Sequence, residues 1–390
     1  MPAATPQGYA TVAAEQADAA MLRPEVLGFE PYSPGLSIDA IKERYNLHRV
    51  VKLASNENPL GVSPVVQKTI KAKAALAFRY PQAGNPRLVA ALAQRHGVDP
   101  STIVVSNGSD ELIDLLVRVR AAPGRDNVVT FSPGFSMYKL QTRFCGVEFR
   151  PVPRGERLDF PWDALLAAVD ANTALVFVTS PDNPTGFTPP AADLAALRER
   201  LPARCLLVID EAYMEFAQPV ERYSLLPVWA PAGARLQNLV FLRTFSKLYG
   251  LAGLRLGYGI MPAWLADYLW RVRLPFSVNI LAEEAGLAAL ADDIFYKATL
   301  EVTHAGRDYL ARELAALGCA VAPSQANFLL FRLPLGASCD AAGAFLKLLE
   351  QGVIIRHLKS FGLPDCLRVS VGAEYENRIF IDALRVALGV

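Results

Sequence analysis

The feature that most constrains the fold is a series of short apolar runs that alternate with longer amphipathic stretches. The runs are rich in Val, Ile, Leu and Phe, which is typical of strands buried on both faces of a sheet. They lie at 103–106, 128–131, 174–179, 205–209, 239–243 and 256–260. Helical patterns among them cover 111–120, 191–200 and 264–272. The alternation predicts an α/β domain whose mostly parallel sheet is flanked by helices.

The pattern changes after about residue 279, where longer helical stretches dominate. Helical patterns cover 282–291, 299–317, 341–350 and 374–388, and short strand candidates lie at 328–331, 353–356 and 366–371. This combination of long helices and short strands predicts a smaller α+β domain. Since 390 residues are many for a single core, we expect several units. They are an N-terminal arm (1–30), a large domain (49–279) and a small domain made of 31–48 and 280–390.

Composition narrows the class of protein. The formal net charge is +1 and no Lys/Arg run occurs, so neither nucleic acid nor a membrane is an expected partner. The N-terminus lacks the basic start and apolar stretch of a signal peptide, and the apolar runs are too short to span a bilayer. The five cysteines and four histidines are scattered without metal-site spacing, so we expect no metal. A cytoplasmic protein in a reducing compartment is the expectation.

Residues that follow the predicted strands are the candidates for a site, because open α/β sheets bind ligands at the carboxyl ends of their strands. After 103–106, Gly108, Ser109 and Asp110 open a helix, whose N-terminal N–H groups and dipole favour an anion. Ordinary capping of that helix is the alternative. After 174–179, a turn stiffened by two prolines and a glycine can hold Asn183 toward a ligand, or can simply end the strand.

An acid and a phenol follow the next strand. Asp210 comes directly after the apolar run 205–209, where a buried carboxylate without a partner is costly. A cationic ligand atom would relieve that cost, and Tyr213 is close enough in sequence to reach the same ligand. A helix N-cap is the alternative role for Asp210.

Two hydroxyls, a lysine and an arginine follow the run 239–243. Thr244, Ser246 and Arg255 suit a phosphate. Lys247 becomes nucleophilic if it is partly desolvated beside a cofactor cation. Taken alone, Lys247 is better explained as a solvated surface residue. Four strand ends that together supply an anion cradle, an acid, a phenol and a lysine favour the functional interpretation.

Four glycines between 250 and 259 raise the question of a dinucleotide-binding loop. Their spacing is not G-x-G-x-x-G, and they do not lie between a first strand and its helix. We therefore exclude a dinucleotide-dependent dehydrogenase.

Three segments carry a family resemblance, in the order SPDNPTG (180–186), DEAY (210–213) and TFSKLYGLAGLR (244–255). Together they resemble the fold-type I pyridoxal-phosphate aminotransferases, and the likeness extends from about residue 30 to the end. Within that group the chain is similar to the histidinol-phosphate aminotransferases. The supporting segments are PYSPG (31–35), ASNENP (54–59), RYP (79–81), GSDE (108–111), GVIIR (352–356) and CLRVSVG (366–372). The resemblance implies a pyridoxal 5'-phosphate cofactor.

The resemblance also implies roles around the cofactor ring. Lys247 holds the cofactor as a Schiff base and moves a proton between the substrate α-carbon and the cofactor C4'. Asp210 pairs with the protonated pyridine nitrogen, which keeps the ring an electron acceptor. Asn183 and Tyr213 hydrogen-bond the phenolic oxygen. In this sequence Phe135 stands in the segment PGFSMY (133–138), where the family usually has a stacking tyrosine; a phenylalanine ring can still stack, but a hydrogen bond is lost.

For the cofactor phosphate, the resemblance implies a cradle of backbone N–H groups and side chains. Its members are Gly108, Ser109, Asp110, Thr244, Ser246 and Arg255. Tyr80 is implied to reach the phosphate of the neighbouring subunit's cofactor, so a homodimer with shared active sites is expected.

On the substrate side, the resemblance implies that Arg368 binds the α-carboxylate of the amino donor, usually glutamate. Arg356, Arg368 and Tyr32 are implied to surround the substrate phosphate, and Asn56 to contact substrate. A guanidinium fork matches both anions. The expected reaction is transamination of L-histidinol phosphate with 2-oxoglutarate, giving imidazole acetol phosphate and glutamate, in histidine biosynthesis. A charge at a strand end without a ligand remains the alternative for Arg356.

Other functions share these segments. An aromatic amino acid aminotransferase is the first alternative, and an enzyme resembling threonine-phosphate decarboxylase, which also handles a phosphate ester, is the second. A pyridoxal-phosphate-binding transcription regulator is disfavoured, because only about 30 residues precede the resemblance and they are not basic.

Overall fold

The computed structural model describes residues 21–27, 29, 36–229 and 237–390. Thirteen strands lie within them. They are β1 (Val51–Lys52), β2 (Ile103–Ser106), β3 (Asn127–Ser132), β4 (Glu148–Pro153), β5 (Thr173–Thr179), β6 (Leu206–Asp210), β7 (Leu239–Thr244), β8 (Gly257–Ile260), β9 (Ala320–Val321), β10 (Phe328–Arg332), β11 (Val353–Ile354), β12 (Arg356–His357) and β13 (Cys366–Ser370).

Helices separate most of these strands. The longer ones are Ile38–Tyr45, Pro64–Lys73, Pro86–His96, Ser109–Arg120, Ser136–Phe144, Ala191–Arg200, Ala263–Val272, Ile280–Leu290, Asp293–Ala316, Ala341–Glu350 and Glu374–Leu388. Shorter α-helices are Pro24–Leu27, Trp162–Ala167, Val220–Tyr223 and Leu226–Trp229. Single 3₁₀ turns are Ala74–Phe78, Pro100–Thr102, Met214–Phe216, Ala252–Leu254 and Leu358–Phe361. Among the described residues, no helix is both long and apolar enough to cross a membrane.

Seven strands form the main sheet, in the order β2-β8-β7-β6-β5-β3-β4. All neighbours are parallel except β8, which runs antiparallel to β2 and β7. The expected α/β fold with a mostly parallel sheet is therefore confirmed. Because β2, β5, β6 and β7 point the same way, their carboxyl ends lie at one edge of the sheet.

Helices cover both faces of this sheet because its central strands are apolar on both. Along β5, Leu175 and Phe177 pack into one cluster, whereas Val176 and Val178 pack into the cluster on the other face. Every residue of β5 and β6 is buried. This burial explains why these strands read as continuous apolar runs.

The remaining strands form two smaller sheets. One has the antiparallel order β12-β13-β10-β9, and the other pairs β1 with β11 in parallel. Apolar residues of the last three long helices pack with β10, β11 and β13 in a core of their own. The predicted division at residues 30, 49 and 280 remains a prediction, and most of the predicted arm lies outside the described residues.

Candidate active site

The predicted site residues converge at the edge where β2, β5, β6 and β7 end. The segment 54–58, which follows β1, crosses this edge and contacts both sheets. Ala54 O accepts a hydrogen bond from Arg368 at 2.9 Å, and Ser55 O accepts one from Lys247 Nζ at 3.2 Å. One short segment therefore joins the lysine of the large sheet to the arginine of the smaller one.

Lys247 is partly buried three residues beyond β7. Its Nζ lies 5.6 Å from the centre of the Tyr213 ring, within the range of a cation–π contact. A neutral carbonyl and an aromatic face hold the amine, so it is available for covalent chemistry.

Asp210 ends β6 and is 3% exposed. Burial raises the pKa of this carboxyl to about 6, and the nearby Asp110 and Glu211 add to the effect. Two neutral donors contact it: Tyr138 OH at 2.8 Å and the Ala212 N–H at 3.1 Å. A buried carboxylate with a raised pKa is suited to pair with a cation.

Tyr213 lies at the centre of a network of amides. Its oxygen accepts from Asn56 Nδ2 at 3.1 Å and faces Asn183 Nδ2 at 3.5 Å. Asn183 Oδ1 in turn accepts from Arg368 Nη1. The predicted cofactor residues Asn183 and Tyr213 are thus connected to two of the predicted substrate residues, Asn56 and Arg368.

The predicted anion cradle lies where β2 meets the helix Ser109–Arg120. Gly108 precedes the helix with a φ of +76°, and a Cβ there would approach Arg255 Nη2 to 2.6 Å. Arg255 Nη2 also lies 3.4 Å from Asp110 Oδ2. Burial raises the pKa of the Asp110 carboxyl, and the charges of Arg255 and Lys247 oppose that rise. Thr244 Oγ1 contacts Ser246 Oγ at 3.0 Å on the facing loop.

The predicted stacking residue, Phe135, packs on the tyrosine that donates to Asp210. The Phe135 ring packs edge-on against Tyr138, with centroids 5.5 Å apart. The sequence predicted no role for Tyr138, although it is 1% exposed and its hydroxyl donates to Asp210. A tyrosine on the buried face of the helix that follows Phe135 was the signal that could have identified it.

Arg356 lies on β12 directly opposite Arg368 on β13. Cross-strand partners point to the same face of a sheet, so the two arginine side chains leave their strands side by side. Arg356, His357 and Lys359 line an open cavity of about 500 Å³ that reaches Ala54. The predicted residue Tyr32 lies outside the described residues. Tyr80 is 80% exposed, and its ring packs on Phe276 at 4.8 Å.

Two buried ionic groups beneath the site escaped sequence reasoning. Arg154 pairs with Asp182 at 2.7 Å, and their side chains are 2% and 1% exposed. Arg243 bridges Glu211 and Glu215, and all three are buried. The first pair ties the end of β4 to the turn before Asn183, and the second group ties the ends of β6 and β7 together. A charged residue inside an otherwise apolar run, such as Arg243, was the available signal.

The chain belongs to the class I and II aminotransferases, whose family model matches residues 48–384. It is 60% identical over 370 residues to the histidinol-phosphate aminotransferase of Nitratidesulfovibrio vulgaris (strain Hildenborough), covering 94% of this chain and 96% of that one. It is 57% identical to the enzyme of the same name from Oleidesulfovibrio alaskensis, covering 92% and 93%. The resemblance inferred from the sequence is confirmed.

Among solved structures, the fold is similar to histidinol-phosphate aminotransferase from Sinorhizobium meliloti in complex with pyridoxal-5'-phosphate. The TM-score is 0.83 at 28% identity, and the match covers 95% of this chain and 98% of that one. Dependence on pyridoxal phosphate is a general property of the aminotransferase family.

The residues of this chain fit that cofactor. The buried carboxyl of Asp210, with its pKa raised to about 6, suits a protonated pyridine nitrogen. Gly108 lies beside Arg255 at the N-terminus of the helix Ser109–Arg120, which is a favourable position for a phosphate. A Cβ at this position would approach Arg255, so the absence of a side chain leaves room for the phosphate.

Proposed function

We propose that this aminotransferase transfers the amino group of L-histidinol phosphate to 2-oxoglutarate in histidine biosynthesis. The observation that carries the proposal is the pairing of Arg356 with Arg368 across β12 and β13. Arg356 and Arg368 together can bind a phosphate ester in one half-reaction, and Arg368 can bind the carboxylate of glutamate in the other. The names of the relatives at 60% and 57% identity support the same substrate.

In this proposal, pyridoxal phosphate, when bound, supplies an electron acceptor for the substrate α-carbon. Lys247 would hold it covalently, Asp210 would accept from its ring nitrogen, and Phe135 would pack on its ring. Asn183 and Tyr213 would hydrogen-bond its phenolic oxygen. Gly108, Ser109, Asp110, Thr244, Ser246 and Arg255 would form the cradle for its phosphate.

Residues of this chain have separate roles in the proposed transamination. Once the substrate amine has displaced it, Lys247 Nζ would take the proton from the substrate α-carbon and later return a proton; it is a partly buried amine 5.6 Å from the centre of the Tyr213 ring. Asp210 would keep its negative charge once a cation beside it offsets the cost of burial. Arg368 orients the substrate carboxylate, and its bond to Asn183 links substrate binding to the Tyr213 network.

The substrate phosphate is proposed to lie in the cavity beside Arg356, with Tyr32 and Arg368 as further contacts, and Asn56 is proposed to contact the substrate. A phosphate dianion needs more than one cation, and the cavity lining supplies Arg356 and Lys359.

A homodimer with shared active sites is part of the proposal. Tyr80 is 80% exposed beside the equally exposed Phe78, and its ring packs on Phe276, which is 44% exposed. A contiguous exposed aromatic surface is suited to a subunit contact. Through it, Tyr80 would reach the neighbouring subunit's cofactor phosphate. A cytoplasmic location likewise remains a prediction.

A substrate panel on the purified protein loaded with pyridoxal phosphate tests the function. We expect the highest kcat/KM with L-histidinol phosphate as donor and 2-oxoglutarate as acceptor. A much higher kcat/KM for phenylalanine would replace this proposal with an aromatic aminotransferase. Release of carbon dioxide from threonine phosphate, without glutamate formation, would replace it with a decarboxylase.

A further inference from the structure

The structure assigns a positioning role to Ser370, which we propose fixes the Asn56 amide so that the Tyr213 hydroxyl remains a hydrogen-bond donor. Ser370 ends β13 and is 3% exposed. It lies two residues beyond Arg368, on the same face of the strand. β13 therefore presents two polar side chains to the network around Tyr213.

Two hydrogen bonds join Ser370 to Asn56. Ser370 Oγ accepts from the Asn56 N–H at 2.9 Å and donates to Asn56 Oδ1 at 2.8 Å. The Asn56 carbonyl is held as well, by Asn327 Nδ2 at 3.1 Å. Asn56 has a φ of +55°, so its backbone takes a left-handed conformation that these contacts maintain. The amide is thereby fixed at both its backbone and its oxygen.

An amide has a donor end and an acceptor end, so fixing the oxygen also fixes the nitrogen. With Oδ1 on Ser370, Nδ2 of Asn56 faces Tyr213 OH at 3.1 Å. Asn183 is arranged the same way: its oxygen accepts from Arg368, and its nitrogen faces Tyr213 OH at 3.5 Å. Two side chains of β13 thus orient two amides toward one phenol oxygen.

The consequence lies in the direction of the Tyr213 proton. A hydroxyl oxygen has two lone pairs, and the two amide nitrogens face them. The hydrogen must then point to a third group, and in the proposed function that group is the phenolic oxygen of the cofactor. Rotation of the Asn56 amide would place Oδ1 against Tyr213 and compete for this hydrogen. It would also remove the acceptor that the Ser370 hydroxyl has in this network.

The inference rests on the proposed cofactor site, and Ser370→Ala tests it. We expect the pH midpoint of the bound cofactor's visible band to rise by about 0.5–1 unit, because loss of one donor disfavours negative charge on the phenolic oxygen. The cofactor dissociation constant should rise by roughly three- to tenfold. The KM for glutamate should change by less than about twofold, because Arg368 keeps its contacts.

Thr173→Ala is the matched control. Thr173 is a buried hydroxyl that donates to Asn127 Oδ1 at 2.8 Å and accepts from the Asp170 N–H at 2.9 Å, at the opposite end of β5. Its loss removes the same kinds of hydrogen bond without touching Tyr213, so the midpoint should not move. Ser370→Thr, which keeps the hydroxyl, should restore the wild-type midpoint. If Ser370→Ala does not fold, Ser370→Cys retains a weak donor and should give a smaller rise.

A double-mutant cycle with Tyr213→Phe distinguishes an effect of Ser370 through Tyr213 from a general loss of structure. Ser370→Ala should shift the midpoint in the wild-type background and leave it unchanged when the phenol is absent. An equal shift in both backgrounds, or a shift in neither, would overturn the inference while leaving the proposed function intact. Wild-type protein that gains no visible band with pyridoxal phosphate would overturn the proposed function and this inference with it.

Discussion

Replacement of Asp210 by asparagine should stabilise the protein free of cofactor while impairing its function. Burial raises the pKa of the folded-state carboxyl from 3.8 to about 6. Because the folded-state value is the higher one, ionised Asp210 opposes folding. The penalty is absent below about pH 4, grows as the pH rises to about 6, and is constant above that. At about 1.4 kcal/mol per pH unit it reaches roughly 3 kcal/mol.

Asparagine keeps the shape of the side chain and removes the charge. Its oxygen can still accept from the Ala212 N–H, and its amide can donate to the Tyr138 hydroxyl, which can then donate to Thr179. We therefore expect Asp210→Asn to raise the free energy of unfolding of the cofactor-free protein by about 1–3 kcal/mol at pH 8, and by about half as much at pH 5. With cofactor, turnover should fall by roughly 10²-fold or more.

Urea unfolding of the cofactor-free proteins at both pH values is the assay. Asp182→Asn is the control, because Asp182 is equally buried but paired with Arg154. Breaking that pair should cost about 3 kcal/mol or more, the opposite sign. The reasoning fails if Asp210→Asn is less stable than wild type at pH 8, or if its advantage does not shrink at pH 5.

Four further substitutions probe other parts of the site. Lys247→Ala should abolish turnover and covalent trapping of the cofactor by borohydride, which mass spectrometry would detect; a trapped adduct in the variant would refute its role. Arg356→Lys should raise the KM for L-histidinol phosphate about tenfold and that for glutamate by less than about twofold, whereas Arg368→Lys should raise both. Equal effects of the two in steady-state kinetics would count against separate contacts. Gly108→Ala should destabilise the protein by about 1–3 kcal/mol and weaken cofactor binding about tenfold, because its φ is +76° and a Cβ would meet Arg255; an unchanged affinity by absorbance titration would contradict the cradle.

The sequence predicts the main sheet well because its central strands are buried on both faces. β7 and the helix Ala191–Arg200 begin where the apolar pattern indicates, and even β2, at one edge of the sheet, is predicted because all of its residues are buried. The sequence does not predict β4, because half of its residues are exposed at the edge of the sheet and do not form an apolar run. Its prolines at 151 and 153 also argue against a strand. β1 and β9 have two residues each, too few to show a period.

Some features of the site can likewise be predicted from the sequence, and others cannot. The convergence of Asp210, Asn183 and Lys247 could be predicted because parallel strands bring their carboxyl ends together at one edge of the sheet. The contact between Asn56 and Ser370 spans 314 positions and depends on how β13 meets the segment after β1. No local pattern encodes such a contact. Likewise, the pairing of Arg154 with Asp182 joins residues that each look unremarkable in sequence.

The position of Arg356 bears on how this family can diversify. It lies on a two-residue strand at the margin of the four-stranded sheet, followed by a single 3₁₀ turn, Leu358–Phe361. The lysine and the acid, by contrast, lie at the ends of interior strands whose packing tolerates little change. Insertions and replacements around residues 356–361 can therefore alter which amine is accepted while the reactive centre is inherited intact. A directed-evolution library confined to those six positions is where a change of substrate should first be sought.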